Sequence, residues 1–241
     1  MTARVVLVTG STSGIGEATA LRFAAGGDTV IFNSARSVGA GEHLASQTEG
    51  SHYIQADISR GEDCTRLIGE VLERCGRLDV LVNNAGTTRA IPHQDLAAAT
   101  VEVWREIFEV NVFGTWSLSV AAMDALRASR GAIVNVSSIA GVRPTGSSIP
   151  YAASKAALNH LTALMAKVVG PEVRVNAVAP GLVDTPWTED WDAIRGFVTA
   201  VAPLKRSGTP ADVADVIVSL ASTPYVTGQV VIVDGGLTLA M

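Results

Sequence analysis

The sequence has few cysteines and no clustered histidines. Cys64 and Cys75 are the only 2 cysteines in its 241 residues. On a helix this spacing separates them by about three turns, which is too far for a disulfide. Reduced thiols are typical of an intracellular compartment, so we expect a cytoplasmic protein. The 4 histidines are scattered without the spacing of metal ligands, so no metal site is expected.

Charge and long hydrophobic runs are also scarce. Only 17% of the residues are charged, the formal net charge is -5, and no basic run occurs. Proteins that bind a phosphate backbone need clustered cations, so the composition argues against a nucleic-acid partner. No segment approaches the ~18 consecutive apolar residues that suggest a membrane span. The apolar run near the first residue is too short for the core of a signal peptide.

What the sequence has in quantity is apolar and small residues, with 48% hydrophobic residues and 23 glycines. Short β-branched runs alternate with helical stretches, and the runs are Val5–Val8, Val30–Phe32, Val80–Val82, Ile133–Val136, Val173–Val178 and Val230–Val233. Strands that are apolar throughout are buried on both faces, as in a parallel sheet covered by helices. We therefore predict an α/β fold with a doubly wound parallel sheet (a Rossmann fold of about seven strands with helices on both faces), in a single domain over 1–241.

Two helical stretches carry boundary signals. The Thr-Pro-Ala-Asp segment that begins at Thr209 supplies an N-cap, a first-turn proline and an acidic first turn for a helix that continues to Ala221. The stretch Thr100–Leu126 is long for one helix, and Asn111 and Gly114 are expected to interrupt it.

A glycine-rich turn follows the first predicted strand and leads directly into an alanine-rich helical stretch. Glycines let the backbone approach a ligand closely, and amides at a helix start favour anionic oxygen. The order of strand, glycines and helix predicts a dinucleotide-binding turn rather than a plain tight loop. Its cofactor-binding residues are Gly10, Ser11, Thr12, Ser13, Gly14, Ile15 and Gly16.

The candidate catalytic residues are Tyr151 and Lys155, with Ser138 upstream. On a helix, residues four apart are neighbours, so the tyrosine and the lysine would share one face. A phenol titrates near ~10 and a nearby ammonium favours its ionised form, which would let Tyr151 exchange protons near neutral pH. Alone the pair is weak evidence, because both residue types are common on helix surfaces, and Ser138 could simply cap a helix.

Taken together, these residues resemble the short-chain dehydrogenase/reductase family over nearly the whole chain, beginning with the TGxxxGIG spacing of the glycine turn. The other matching positions are Asn83-Asn84-Ala85-Gly86, Asn111, Ser138, Tyr151 with Lys155, Pro180-Gly181 with Thr185, and Asp234-Gly235-Gly236. The chain is most similar to the single-domain branch and, within it, to the 3-oxoacyl-carrier-protein reductase group. The resemblance implies an NAD(P)-dependent oxidoreductase acting on CH-OH groups.

The resemblance also implies catalytic roles. Tyr151 would be the general acid in reduction and the general base in oxidation, and Lys155 would hold the nicotinamide ribose and lower the tyrosine's pKa. Ser138 would hydrogen-bond the substrate carbonyl, and Asn111 would position a water in a proton relay. A hydride arriving at a carbonyl carbon builds negative charge on the oxygen, which placed donors stabilise and an acid neutralises. Ser137 is expected to be structural, and Asn111 could be only a helix-kink residue.

The end of the second predicted strand bears on the choice between NADP and NAD. An NAD site places an acidic residue about 20 residues beyond the glycine turn, whereas an NADP site supplies arginine. Ala35 occupies the acidic position and Arg36 follows it, which favours NADP. NAD is the alternative cofactor. Arg36 could be a solvated surface residue, and Ser13 occupies the position where many NADP-preferring relatives carry a basic residue. The other cofactor contacts implied by the resemblance are Asp57, Ile58, Asn84, Ala85, Gly86, Tyr151, Lys155, Pro180, Gly181, Val183 and Thr185.

Substrate contacts are expected at the rim of the site. The resemblance places a substrate lid around residues 184–202, where Trp187 and Trp191 could line an apolar wall or simply pack in the fold. Val142, Arg143 and the stretch Thr145–Ile149 are expected on the opposite rim. Such loops select the substrate.

We expect an NADPH-preferring reductase that converts a carbonyl reversibly to a secondary alcohol, with a 3-oxoacyl thioester as one candidate substrate. A carrier-protein partner has little support, since few cations beyond Arg127 and Arg130 could meet it. The alternatives are a dehydrogenase of a small free alcohol, sterol, terpenoid or sugar, and a dinucleotide-binding sensor without turnover. The family's usual homotetramer or homodimer would use the long interrupted helix and the helix after Tyr151. The residues compatible with that interface are Ala121, Ala122, Leu158, Leu161 and Leu164.

Overall fold

The computed structural model describes residues 3–241, which form one parallel sheet flanked by helices. The strands are β1 (Val5–Val8), β2 (Thr29–Ser34), β3 (His52–Gln55), β4 (Val80–Asn83), β5 (Ala132–Val136), β6 (Arg174–Pro180) and β7 (Val230–Val233). The helices are α1 (Gly14–Ala25), α2 (Val38–Gln47), α3 (Gly61–Cys75), α4 (Val101–Phe108), α5 (Thr115–Ala121), α6 (Met123–Ser129), α7 (Ile149–Val169), α8 (Asp192–Val201) and α9 (Pro210–Ser222). The strand order is β3-β2-β1-β4-β5-β6-β7, and every neighbouring pair is parallel. The doubly wound sheet predicted from the sequence is confirmed.

Six strands lie where the apolar runs predict them, and β3 is the one without such a run. Its residues, His-Tyr-Ile-Gln, mix polar and apolar side chains, and Ile54 is its only fully buried position. β3 lies at the edge of the sheet, where a strand has a neighbour on one side only. An edge strand can therefore keep polar residues that a central strand would have to exclude.

Successive side chains of the strands point alternately into two hydrophobic cores, one on each face of the sheet. Val5 and Leu7 of β1 join the core covered by α3, α5, α6 and α7. Val6 and Val8 join the core covered by α1 and α9. Every residue of β1, β4 and β5 is buried, which explains why these central strands are apolar almost throughout.

The stretch Thr100–Leu126 is interrupted, as predicted. A π-helical turn, Glu109–Gly114, separates α4 from α5. A Cβ on Gly114 would lie 2.7 Å from the Ile58 carbonyl oxygen, so the helix could not pack this closely with a larger residue there. The turn also holds Asn111, which is only 1% exposed, inside the protein.

The predicted start of α9 and the state of the cysteines can both be checked. Thr209 Oγ1 accepts a hydrogen bond from the Asp212 amide, and Asp212 Oδ2 accepts one from the Thr209 amide, which confirms the N-cap. Cys64 and Cys75 both lie on α3 as free thiols. The cytoplasmic location stays a prediction. Among residues 3–241, no helix is long and apolar enough to cross a membrane.

The order of the strands determines where a ligand site can form. β1 and β4 are neighbours at the centre of the sheet, and the chain winds outward from them in opposite directions. At such a switch point the connections on either side diverge and leave a crevice at the carboxyl ends of the strands. The loops after β1, β4, β5 and β6 border that crevice.

Candidate active site

A cleft of about 1380 Å³ opens at the carboxyl ends of the central strands. It brings together most of the residues singled out in the sequence. These lining residues are Gly10, Thr12, Ser13, Gly14, Ile15, Gly16, Arg36, Asp57, Ile58, Asn84, Ala85, Gly86, Ser138, Tyr151, Lys155, Pro180, Gly181, Val183, Thr185, Trp187 and Trp191.

The glycine turn between β1 and α1 is held in shape by Asn84. Its side-chain amide donates to the carbonyl oxygens of Thr9 (2.9 Å) and Gly10 (3.0 Å). Gly10 and Gly14 have φ of 60° and 58°, in the left-handed region that favours glycine. A Cβ on Gly16 would lie 2.3 Å from the Gly10 carbonyl oxygen. Because the first amides of α1 have no acceptor within the helix, this closely packed turn fits the phosphates of a dinucleotide.

One end of the cleft carries Asp57 and Arg36. Asp57 Oδ1 accepts hydrogen bonds from the amide (3.0 Å) and the hydroxyl (2.7 Å) of Ser59, so this carboxylate has a fixed orientation. Arg36 is exposed at the rim, and within residues 3–241 it forms no ion pair. Its neighbours Ser34 and Ala35 also line the cleft, so the stretch of wall at the end of β2 has no carboxylate of its own.

Tyr151 and Lys155 lie close together in the first turns of α7. Lys155 Nζ is 5.7 Å from the centre of the Tyr151 ring and donates a hydrogen bond of 2.8 Å to the Val136 carbonyl oxygen. Lys155 is only 4% exposed, and this burial lowers its pKa to about 8. The ammonium is thus held by the end of β5 next to the phenol.

The pKa of Tyr151 differs in direction from the sequence expectation. Burial raises the pKa of the Tyr151 hydroxyl, and the neighbouring Ser138 hydroxyl lowers it in part. Lys155 was expected to lower this pKa, but in the structure the loss of solvent around the phenol outweighs any such effect. Desolvation disfavours the charged form of both groups, so it raises the pKa of the acidic phenol and lowers the pKa of the ammonium.

Ser138 combines the two roles that the sequence leaves open. Its Oγ accepts a hydrogen bond of 3.1 Å from the Ala140 amide and so caps the 3-10 turn Ile139–Gly141. The cap uses a lone pair of the oxygen, so the hydroxyl proton is still free to be donated into the cleft. Ser137 instead donates to the Lys155 carbonyl oxygen (3.3 Å), which agrees with a structural role.

Asn111 lies beneath the lining of the cleft. Its Oδ1 accepts from the Thr87 amide (2.8 Å), and its Nδ2 donates to the Thr87 carbonyl oxygen (3.0 Å) and to Ser154 Oγ (3.0 Å). A Cβ on Gly86 would lie 3.3 Å from Asn111 Oδ1 and 3.6 Å from Lys155 Nζ. The side chain therefore fastens the loop after β4 to α7. The water relay stays a prediction.

Ser11 also lies outside the lining, although it is part of the glycine turn. It is fully buried, and its hydroxyl accepts from the Asn33 amide (2.9 Å) and donates to the Asn33 carbonyl oxygen (3.4 Å). These bonds tie the turn to the end of β2, so its side chain supports the cofactor site from behind.

The rim opposite the predicted lid contains only part of the stretch expected there. Three predicted substrate residues are outside the lining of this cleft, namely Val142, Arg143 and Ile149. The rim is formed by residues 144–147, which overlap the expected stretch Thr145–Ile149. The amides of Val142 and Arg143 both donate to the Ile139 carbonyl oxygen, which keeps the chain in a tight turn before it reaches the cleft.

The lining also includes residues that the sequence reasoning missed. They are Ala90, Ile91, Pro92, His93 and Gln94 after β4, Ile194, Phe197 and Val198 on α8, and Met241. The loop after β4 joins the opposite rim through a hydrogen bond from the Ile91 amide to the Ser147 carbonyl oxygen (2.8 Å). The α8 residues continue the three- and four-residue intervals of Trp187 and Trp191, a signal that could have been used, although both tryptophans precede α8. The loop has no periodicity that would mark it.

The segment after β6 is held in a turn by its own hydroxyls. Thr188 Oγ1 donates to the Val183 carbonyl oxygen (2.7 Å) and accepts from the Thr185 amide (3.2 Å). Next to this turn, the Trp187 ring meets the Tyr151 ring edge-on, with 6.4 Å between their centres and 68° between their planes. The lid segment, residues 184–202, therefore contacts the candidate catalytic tyrosine directly. Among residues 3–241, no group of three or more His, Cys, Asp or Glu side chains is placed to hold a metal ion.

Known proteins resemble this chain over its full length. The family profile described as Enoyl-(Acyl carrier protein) reductase matches residues 10–238. The chain is 56% identical over 241 residues to a protein named as ketoacyl reductase 2 of the granaticin polyketide synthase from Streptomyces violaceoruber, covering 98% of this chain and 97% of that protein. It is 38% identical over 246 residues to the 3-oxoacyl-[acyl-carrier-protein] reductase FabG of Thermotoga maritima, covering 98% of each. It is 37% identical over 245 residues to the L-fucose dehydrogenase of Oryctolagus cuniculus, covering 98% of this chain and 85% of that one.

Solved structures give the same picture. A short-chain dehydrogenase/reductase from Burkholderia xenovorans superposes with a TM-score of 0.93 at 37% identity, covering 99% of both chains. The structure of ElxO with NADP bound superposes with a TM-score of 0.90 at 30% identity, covering 98% of this chain and 99% of that one. Proteins named for keto chemistry and for sugar chemistry both match at full length, so the named activities alone do not select a substrate.

Proposed function

The chain belongs to the short-chain dehydrogenase/reductase family and is an NAD(P)-dependent oxidoreductase, and we propose that it reduces a ketone reversibly to a secondary alcohol, with NADPH preferred. The observation that carries the proposal is that Ser138, Tyr151 and Lys155 line the same cleft as the glycine turn. A proton donor, a hydrogen-bond donor and a phosphate-binding turn thus border one space. Carbonyl reduction needs these three parts together.

Each residue contributes a separate part of the chemistry. The nicotinamide, when bound, supplies the hydride. Ser138 donates a hydrogen bond from its hydroxyl to the carbonyl oxygen and stabilises the charge that develops there. Tyr151 then protonates that oxygen, and its raised pKa keeps the phenol protonated at neutral pH. Lys155 uses one of its three ammonium N–H groups in the hydrogen bond to the Val136 carbonyl oxygen, which leaves two to hold the ribose hydroxyls.

The preference for NADPH is supported by the wall around Arg36. The exposed guanidinium has no acidic partner within residues 3–241, and Ala35 stands where an NAD site needs a carboxylate. NAD is the alternative cofactor. The test compares kcat/KM for NADPH and NADH in the wild type, in Arg36→Ala, and in the control Arg22→Ala, whose side chain is outside the cleft lining. Comparable efficiency with both nucleotides, unchanged in Arg36→Ala, would contradict the assignment.

For the substrate we favour a 3-oxoacyl-type ketone, because two of the relatives described above are named for ketoacyl reduction. The profile description names enoyl reduction instead, but Ser138 and Tyr151 supply the oxygen-directed donors that a carbonyl needs. The sugar alternative comes from the L-fucose dehydrogenase relative. A carrier-protein partner keeps little support, since Arg127 already faces Asp124 at 3.9 Å.

The deciding experiment follows NADPH oxidation with an acetoacetyl thioester, a crotonyl thioester and simple ketones, and NADP reduction with L-fucose. We expect turnover of the oxo compounds and a loss of at least about 100-fold in kcat for Tyr151→Phe. The control is Tyr225→Phe, which alters a tyrosine that is 100% exposed. Full activity in Tyr151→Phe would refute the mechanism. Nucleotide binding without turnover of any substrate, unaffected by that change, would favour a sensor.

We also propose that the chain forms a homodimer or homotetramer through the faces of α5 and α7. Large apolar side chains near that surface are exposed, namely Phe113, Trp116, Val120, Leu164 and Val168. Ala122 and Leu158 are buried in the chain's own core, and Ala121 and Leu161 pack against that core, so of the residues predicted for this interface only Leu164 is free to form one. Sedimentation of the wild type and of Val168→Glu tests this, and a monomeric wild type would contradict it.

A further inference from the structure

The lid segment presents an apolar wall to the cleft. We use this name for six lining residues, which are Trp187, Trp191, Ile194, Phe197, Val198 and Met241. Ile194, Phe197 and Val198 lie on α8, whereas Trp187 lies in the 3-10 turn before it and Trp191 immediately precedes the helix. Phe197 is 54% exposed, Met241 51%, Ile194 48% and Trp187 46%. Large apolar side chains that line a cleft and stay half exposed mark a surface that a ligand can cover.

The apolar wall begins at the candidate proton donor. The Trp187 ring contacts the Tyr151 ring edge-on, with ring centres 6.4 Å apart. From there the wall continues along α8 to Phe197 and Val198, which line the same cleft. A carbonyl oxygen within reach of Tyr151 therefore places the groups attached to its carbon beside this wall.

The single cation of the lid segment and the hydroxyl of its Thr188 are already in use. Arg195, its only basic residue, donates to Asp184 Oδ1 (2.9 Å), Asp192 Oδ1 (2.8 Å) and the Thr188 carbonyl oxygen (3.0 Å). Thr188 Oγ1 is bonded within its own turn. A substrate phosphate or carboxylate would find no free cation on the lid, whose other charged residues are all acidic. Sugar hydroxyls placed against the apolar wall would lose their hydrogen bonds to water without replacement.

We propose that the group attached to the reacting carbonyl is bulky, uncharged and apolar, such as a fused ring system, and that one of its faces lies against the apolar wall. The proposal rests on the proposed carbonyl reduction and names its substrate class. It concerns one face of the substrate only. The opposite rim is mixed in character, since Ile91, Pro92 and Pro144 line it together with His93 and Gln94.

The test compares 2-tetralone, which has a fused aromatic ring, with cyclohexanone, which has a similar ketone without that ring. We expect the wild type to prefer 2-tetralone by at least about tenfold in kcat/KM, because a ring packed on apolar and aromatic side chains gains both burial and aromatic contact. Ile194→Ala and Phe197→Ala should each reduce that ratio several-fold. Tyr225→Ala, which alters an exposed residue outside the cleft lining, is the matched control and should leave the ratio unchanged.

Two outcomes overturn the proposal. The first is equal kcat/KM for the two ketones, or a best substrate that is a free sugar. The second is a ratio that Ile194→Ala and Phe197→Ala leave unchanged while they alter the oligomeric state, because the wall would then be a subunit contact.

A binding measurement separates this inference from the proposed reaction. Calorimetry with 2-naphthol and cyclohexanol needs no turnover. Suppose that no ketone is reduced but that 2-naphthol binds more tightly than cyclohexanol and Phe197→Ala weakens that binding. The proposed role of the apolar wall is then supported and the proposed reaction is refuted. If cyclohexanone and 2-tetralone are reduced equally well, and Tyr151→Phe abolishes both rates, the proposed reaction is supported and the proposed role of the apolar wall is refuted. Absence of both turnover and preferential naphthol binding overturns both.

Discussion

Replacing Gly141 by alanine should separate the two elements that carry the candidate catalytic residues. Gly141 ends the 3-10 turn that Ser138 caps, and this turn packs directly on the backbone of α7. A Cβ there would lie 2.6 Å from the Lys155 carbonyl carbon, 2.7 Å from its oxygen and 2.8 Å from the Ala156 nitrogen. These are backbone atoms in the middle of a helix, so they cannot rotate out of the way as a side chain could.

The size of the effect follows from this geometry. Ordinary van der Waals contact begins at 3.4 Å, so the turn and α7 must move apart by about 0.8 Å, the difference between 3.4 and 2.6 Å. Ser138 moves with the turn, and Tyr151 and Lys155 stay with α7. Misplacement of this order costs about 100-fold in rate. Overpacking of a close contact also costs about 1–3 kcal/mol of stability.

The assay measures kcat, the Kd of NADPH and the free energy of unfolding in urea. We expect Gly141→Ala to lower kcat by about 100-fold and to change the Kd much less, since the glycine turn lies on other elements. Gly69→Ala is the matched control. Gly69 is on α3 with nothing within 4 Å of an added Cβ, so alanine should stabilise the protein by about 0.5–1 kcal/mol and leave kcat unchanged. Wild-type kcat and stability in Gly141→Ala would refute the reasoning.

Three further predictions concern charge and capping. The pKa of Lys155 falls from 10.5 to about 8 on folding, so the folded state binds fewer protons than the unfolded state between pH 8 and 10.5. The free energy of unfolding should therefore rise with pH across this range, by up to about 3 kcal/mol. Urea titrations should show this rise in the wild type and not in Lys155→Met, and identical pH dependence would contradict it. Arg195→Ala should raise the KM of the ketone several-fold and speed cleavage of the lid segment by chymotrypsin. The control Arg22→Ala breaks an exposed ion pair with Asp215 and should change neither quantity. Equal effects of the two variants would show that the Arg195 contacts do not hold the lid segment. Thr209→Ala should cost about 1 kcal/mol in thermal unfolding without changing any KM, and unchanged stability would show that the N-cap contributes nothing.

The strands could be predicted wherever burial on both faces leaves only apolar residues. This works for β1 and β4, whose residues are all buried. It does not work for β3, because an edge strand tolerates His52 and Gln55. The information that defines β3 is its pairing with β2, which no local pattern contains.

The centre of the site was more predictable than its rim or its electrostatics. Tyr151 and Lys155 are four residues apart on one helix, so local geometry alone places them together. Arg143 was expected at the rim, but the tight turn that precedes it is held by hydrogen bonds that the residue types do not reveal. The raised pKa of Tyr151 could not be predicted from the sequence either, because desolvation depends on everything that packs around the phenol.

The bonds at the end of β5 also bear on how such an enzyme can change its substrate. Lys155 Nζ donates to the Val136 carbonyl oxygen, and Ser137 donates to the Lys155 carbonyl oxygen, so strand and helix hold each other at the position of the proton chemistry. None of these bonds involves the lid segment or residues 90–94. Mutations can therefore accumulate in the rim and alter what is bound while the proton-transfer geometry is retained, so a new specificity would require changes in the loops alone.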